Sequence, residues 1–122
     1  MENITENNKL IADFLGWKKG RGTNTHKKTF LVPNKGGVYP IEALKFHNDW
    51  NWLIPVVEKI EIQSKELFGA YEDVIINGCG CGIATKDDMI SIAATSKIEA
   101  VYIACVEYIK WYNEQNKTNE SL

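Results

Sequence analysis

Hydrophobic side chains recur at helical spacing in three segments of the chain. The pattern predicts a first helix over Asn7–Leu15, with Gly16 as its C-terminal stop. A second helix is expected from about Asp49 to Ile62, where apolar positions repeat at the spacing of one buried face. The third begins at a capping box formed by Ser96 and Glu99 and carries the longest apolar stripe.

Between the helices the pattern changes to short extended runs rich in β-branched residues. Asn77-Gly78 is a strong hairpin dipeptide, so the runs on either side of it are expected to pair as antiparallel strands. The strand candidates are Phe30–Val32, Val38–Tyr39 with a continuation over Ile41–Phe46, Val74–Ile76, Cys81–Thr85 and Met89–Ala94.

The order of these elements predicts an α+β fold, in which an antiparallel sheet of about four to five strands packs with three helices as an α-β-α sandwich-like domain. A chain of 122 residues with 44% hydrophobic residues is sized for one domain, which we place at residues 1–112. Residues 113–122 are polar and are expected to form a frayed tail. No stretch approaches the roughly 20 apolar residues of a membrane span, which favours a cytoplasmic protein without a membrane partner.

Charge is the first feature that points to a binding role. The net charge is only -2, so any electrostatic function must come from a local patch. The segment Lys18–Lys28 holds five positive side chains in eleven residues, a density able to follow an RNA backbone, and two rings beside them can stack on an unpaired base. A solvated surface loop is the competing interpretation. The candidate partner- or RNA-binding residues are Trp17, Lys18, Lys19, Arg21, His26, Lys27 and Lys28, together with Trp50.

Trp50 belongs to a second candidate region, the aromatic and polar run from His47 to Trp52. An exposed tryptophan there is typical of an interface hot spot, whereas core packing is the alternative, and at least one of the two tryptophans is expected to be structural. His47 and Asp49 need not face each other, and no nucleophile follows them. We therefore predict no catalytic residue and no enzymatic activity.

The cysteines offer only a weak metal signal. A structural zinc site needs about four ligands, usually in two spaced pairs, whereas Cys79 and Cys81 are joined only by Cys105 and two distant histidines. Small side chains packing beneath a helix are the simpler interpretation. The glycines around them lack the lysine and hydroxyl of a phosphate-binding loop, so no metal and no cofactor are predicted.

Three segments of the chain resemble a family of small, mostly uncharacterised phage and prophage proteins of Bacteroidetes: NKLIADFLGW from Asn8, KFHNDWNWLIPVVEKIE from Lys45 and SKIEAVYIACVEYIKWYNEQ from Ser96. The resemblance implies an α-β-α sandwich-like domain and supplies no catalytic residues. In its length and in the host lineage that the family implies, the chain also resembles phage inhibitors of RNA-guided RNA-cleaving immunity, the anti-CRISPR proteins of type VI-B. That likeness implies binding to the CRISPR effector protein, to its guide RNA, or to both.

Two other functions stay open on the sequence. One is a small-molecule sponge that sequesters a cyclic nucleotide, with basic side chains holding the phosphate and tryptophans holding the base. The other is an accessory phage domain with no role in defence. A homo-oligomer formed through an aromatic surface is compatible with each of these functions.

Overall fold

The computed structural model describes residues 4–17, 29–32, 37–40, 43–68, 74–85 and 89–121. These residues form three helices and an antiparallel sheet of three strands, together with a separate two-stranded hairpin, which confirms the α+β class. In chain order the elements are α1 (Ile4–Phe14), β1 (Thr29–Val32), β2 (Gly37–Pro40), α2 (Trp50–Phe68), β3 (Val74–Asn77), β4 (Gly80–Ala84), β5 (Met89–Ala93) and α3 (Lys97–Ser121).

Helix α1 ends where the sequence predicts, at a glycine in the left-handed conformation. Gly16 has φ of 76°, and its N–H donates to the Asp13 carbonyl at 3.0 Å. The N–H of Trp17 donates to the Ala12 carbonyl at 3.1 Å, which completes a Schellman motif. This pair of bonds satisfies two terminal carbonyls and turns Trp17 back toward the helix that precedes it.

Helix α2 begins at Trp50 because Asp49 caps it. The Asn51 N–H donates to Asp49 Oδ1 at 2.9 Å, which satisfies one of the free donors of the first turn. The helix continues past Ile62, its expected end, to Phe68.

Helix α3 starts at the predicted cap, with one change in the pattern of bonds. The Glu99 N–H donates to Ser96 Oγ at 3.2 Å, as in a capping box. Glu99 Oε1 accepts from the N–H of Thr95 at 3.3 Å, one residue before the expected partner. The helix then continues past Tyr112, where a frayed tail was expected, to Ser121.

The strands form two sheets. The order β3-β4-β5 is antiparallel throughout, and the predicted hairpin turn holds Gly78 at φ of 59°. Strands β1 and β2 pair only with each other among the described residues, so a single sheet of four to five strands is not confirmed. The expected extension over Ile41–Phe46 is wrong at residues 43–46, none of which is in a strand, and residues 46–48 form a turn in which Phe46 is fully buried. Residues 41–42 lie outside the described residues.

The core lies between the inner face of the three-stranded sheet and the helices. Helix α3 packs against all three strands and against α1 and α2, and its segment Ala100–Val106 is buried at nearly every position. Tyr108 donates a hydrogen bond to Gln63 Oε1 of α2 at 2.9 Å. The inner face of the sheet is made of Val74, Ile76, Cys81, Ile83, Ile90 and Ile92.

The Schellman glycine gives a test of the fold. Replacement of Gly16 by Ala places a Cβ on a residue with positive φ and is expected to lower the free energy of unfolding by about 1 kcal/mol. Gly82→Ala is the control, because its added Cβ meets Met89 Sδ at an ordinary 3.5 Å. Urea denaturation measures both; equal stability of Gly16→Ala and the unsubstituted chain would contradict the role given to Gly16.

Candidate functional site

The basic segment Lys18–Lys28 is the first of the predicted sites. Its predicted side chains, Lys18, Lys19, Arg21, His26, Lys27 and Lys28, lie outside the described residues. The described residues that flank it are Trp17 and β1, whose Phe30 pairs with Tyr39 of β2.

Trp17 is part of an aromatic cluster. Its ring centroid lies 5.2 Å from that of Phe46 and 6.0 Å from that of Trp52, while Tyr39 meets Trp52 edge to face at 5.9 Å. Trp52 is only 7% exposed, so this tryptophan is structural, as expected for one of the pair. Trp17 and Trp50 are half-buried and pack against the core. The cluster therefore connects α1, the β1–β2 hairpin and α2. Part of the Trp17 ring is buried in it.

Two of the three cysteines, Cys81 and Cys105, are buried in the core. Burial raises the pKa of the Cys81 thiol to about 11, and burial together with the nearby Cys81 raises the pKa of Cys105. Cys79 is exposed in the β3–β4 turn, so Cys79 and Cys81 do not share a strand face. Among the described residues, no three His, Cys, Asp or Glu side chains are arranged to hold a metal ion.

A pocket of about 470 Å³ opens where the start of α1, the turn before α2 and the start of α3 meet. This volume is in the range of small-molecule sites. It is lined by Ile4, His47, Ser96, Ile98, Glu99, Tyr102 and Ile103. Of these, only His47 belongs to a region that the sequence singles out as a candidate binding region, although all come from, or lie close to, the segments that carry the phage-family resemblance.

Asn8 contacts two of the residues that line this pocket, Tyr102 and His47. Its side chain is 2% exposed, and its Nδ2 group donates to the Leu44 carbonyl at 3.0 Å. The Tyr102 hydroxyl donates to Asn8 Oδ1 at 3.0 Å. One buried amide thus ties together α1, the turn before α2 and α3, and these hydrogen bonds offset the cost of burying it.

The same amide fixes the state of His47. Asn8 Nδ2 lies 3.2 Å from His47 Nδ1, and because Nδ2 is a donor, Nδ1 must accept and the neutral ring carries its proton on Nε2. Burial lowers the pKa of His47, whose ring also lies edge to face with Tyr102 at 6.1 Å. His47 therefore presents an N–H donor at Nε2 at neutral pH.

A different surface lies on the outer face of the three-stranded sheet, which the described helices leave uncovered. Ile75 is 54% exposed and Met89 is 50% exposed on this face. Between them the register places only small or uncharged side chains. We define the outer face as Ile75, Asn77, Gly80, Gly82, Ala84, Met89, Ser91 and Ala93.

The state of His47 generates a prediction about pH. A histidine whose native pKa is depressed binds more protons when unfolded, so its contribution to stability is present above the ordinary value of 6.5 and is lost as pH falls below it. We expect the stability lost between about pH 7.5 and about pH 5.5 to be smaller in His47→Gln. Thermal unfolding across that range measures the difference, with His26→Gln as the control for a second histidine. An unchanged pH profile in His47→Gln would contradict the assignment.

Comparison with known proteins leaves the site to be interpreted from its own geometry. No protein-family model, curated protein or solved structure matches this chain. None of the described helices combines the length and apolar character needed to cross a bilayer. Three features of the described structure could serve binding: the pocket, the outer face and the aromatic cluster.

Proposed function

We propose that this chain is a phage-encoded, non-catalytic inhibitor of bacterial defence that binds a type VI-B CRISPR effector through the outer face of its three-stranded sheet. The outer face, which is uncharged and which the described helices leave uncovered, is the observation that carries the proposal. The resemblance to phage proteins suggests the class of partner.

The composition of the outer face is unusual for a surface that meets only water. Antiparallel sheets with one solvated face normally alternate apolar residues inside with polar or charged residues outside. Here the outward positions of β3, β4 and β5 carry no charge, and Ile75 and Met89 stand above small side chains. An exposed apolar patch of this kind favours a protein contact, and methionine adapts its shape readily to a partner.

The basic segment gives the proposal a second contact. It follows Trp17, whose ring is anchored in the aromatic cluster. Five positive side chains in Lys18–Lys28 suit the guide RNA of the effector, and Arg21 can contact a phosphate through two N–H groups. In this proposal the outer face provides the protein contact and the basic segment adds affinity that depends on RNA and on salt.

A small-molecule sponge is the second candidate, and the pocket favours it in general terms. The particular form with a cyclic nucleotide is less well supported, because the carboxylate of Glu99 lines the pocket and would repel a phosphate. A cyclic nucleotide would therefore have to bind through the basic segment. A thermal shift with a cyclic nucleotide and none with effector protein would favour the sponge.

The outer face can be tested by adding charge to it. Ile75→Lys with Met89→Lys is expected to weaken capture of purified type VI-B effector by about tenfold or more, because both lysines would have to lose water at an apolar contact. Ile62→Lys is the matched control, since Ile62 is 60% exposed on α2 and is not part of the outer face. Capture is followed by pull-down, and inhibition by the survival of target RNA in a silencing assay.

Retained inhibition by the Ile75 and Met89 variant would remove the outer face from the mechanism. If the same variant instead converts a homo-oligomer to a monomer and still inhibits, the face serves self-association. Circular dichroism and thermal unfolding confirm that each variant is folded.

The basic segment is tested separately by charge reversal of Lys19, Arg21 and Lys28 to Glu. We expect weaker binding to the effector–guide complex and a shallower dependence of affinity on salt, because fewer counterions are released. Ribonuclease treatment before capture should reproduce the loss in the unsubstituted chain. Unchanged binding at several salt concentrations would show that this segment is a solvated loop.

A further inference from the structure

The pocket at the start of α3 is not used by the proposed function, and its chemistry stands apart from that of the outer face. Most of its described wall is apolar, from Ile4, Ile98, Ile103 and the ring of Tyr102. Ile4 is 44% exposed, so the apolar wall continues to the rim, where a ligand would enter. Such a wall suits a small ligand with a compact apolar group.

Glu99 adds a charge to this apolar wall. Its Oε1 accepts from both the N–H and the hydroxyl of Thr95, each at 3.3 Å. Within the part of the chain that the structure describes, both bonds fall on Oε1, which leaves Oε2 for a ligand. Of the described lining residues, Glu99 is the one that carries a carboxyl group.

His47 supplies the opposite kind of group. Its Nδ1 is occupied by Asn8, so the group it offers beyond that network is the Nε2–H donor. Asn8 and Tyr102, which contact His47, are both almost fully buried and hydrogen-bonded to each other. The pocket wall thus includes one carboxyl group and one neutral N–H donor.

We propose that this pocket binds a small primary amine with an apolar body and an adjacent carbonyl, the chemistry of an amino-acid amide. The ammonium group would bind Glu99 Oε2, the carbonyl would accept from His47 Nε2–H, and the apolar side chain would lie against the isoleucines. A charge-assisted bond to the carboxylate gives the preference for a cation. This inference does not depend on the identity of the defence partner.

The probe for the experiment is leucinamide, with 4-methylpentanamide as the analogue that lacks only the amine. Titration of the folded chain, followed by amide chemical shifts in NMR, should give saturable changes around the pocket with leucinamide. Without the amine we expect affinity to fall by about tenfold or more, the size of one charge-assisted hydrogen bond.

The key variant is Glu99→Gln, whose amide oxygen can still accept from Thr95 while the charge is removed. It should bind leucinamide about as weakly as the unsubstituted chain binds the analogue. Glu107→Gln removes the same charge from an exposed position on α3, where Glu107 lies 3.8 Å from Lys110, and should bind normally. Thermal unfolding checks that both variants are folded.

Equal affinity for the two probes would overturn the proposal, since the pocket would then select only the apolar body. Absence of saturable shifts with either probe, or shifts produced by inorganic phosphate in place of the amine, would overturn it as well. Effector capture by Glu99→Gln is measured alongside, and normal capture by a variant that has lost leucinamide binding would show that the two sites act separately.

Discussion

The burial of α3 on several sides is the constraint on which the rest of this structure depends. Its residues contact all three strands of the sheet and both other helices, and Tyr108 and Ile109 are fully buried among them. Burying apolar surface is the main favourable term in folding, and among the described residues α3 supplies eight of the 20 buried hydrophobic side chains. The other helices are tied in around it: Lys59 of α2 donates to the Phe14 carbonyl at the end of α1, and its ammonium group lies 4.9 Å from the Phe14 ring centroid. The two candidate surfaces thus follow from how the helices pack around this core.

The two candidate surfaces differ in how they arise. The outer face exists because all described helices pack on the inner side of the sheet, so that the alternation of β3, β4 and β5 leaves uncharged side chains in solvent. The pocket is the space left between α1, the turn before α2 and α3, the three segments that the buried amide of Asn8 joins. An uncharged exposed face suits a protein, and a recess whose described lining includes a carboxyl group suits a small cation.

Local signals in the sequence predicted the features that depend on neighbouring residues. Gly16 ends α1, Asn77-Gly78 turns the β3–β4 hairpin and Ser96 caps α3, because the chemistry of each acts within a few positions. The pocket was missed because Asn8 and His47 are far apart in sequence and meet only in the fold. The signal available in the sequence was Asn8, a polar residue on the apolar stripe of a predicted helix. The burial of Phe46 in a turn was missed because it depends on packing against Trp17 and Trp52.

The unequal burial of the three cysteines has a chemical consequence. A thiol reacts as its thiolate, and Cys81 and Cys105 are both buried, where burial raises the thiol pKa and hinders access of a reagent. Cys79 is exposed at the tip of the β3–β4 hairpin, beside the outer face. The unaltered chain therefore carries its own site for selective alkylation, and a fluorophore or spin label attached there would sit at the rim of the surface whose occupancy it would report.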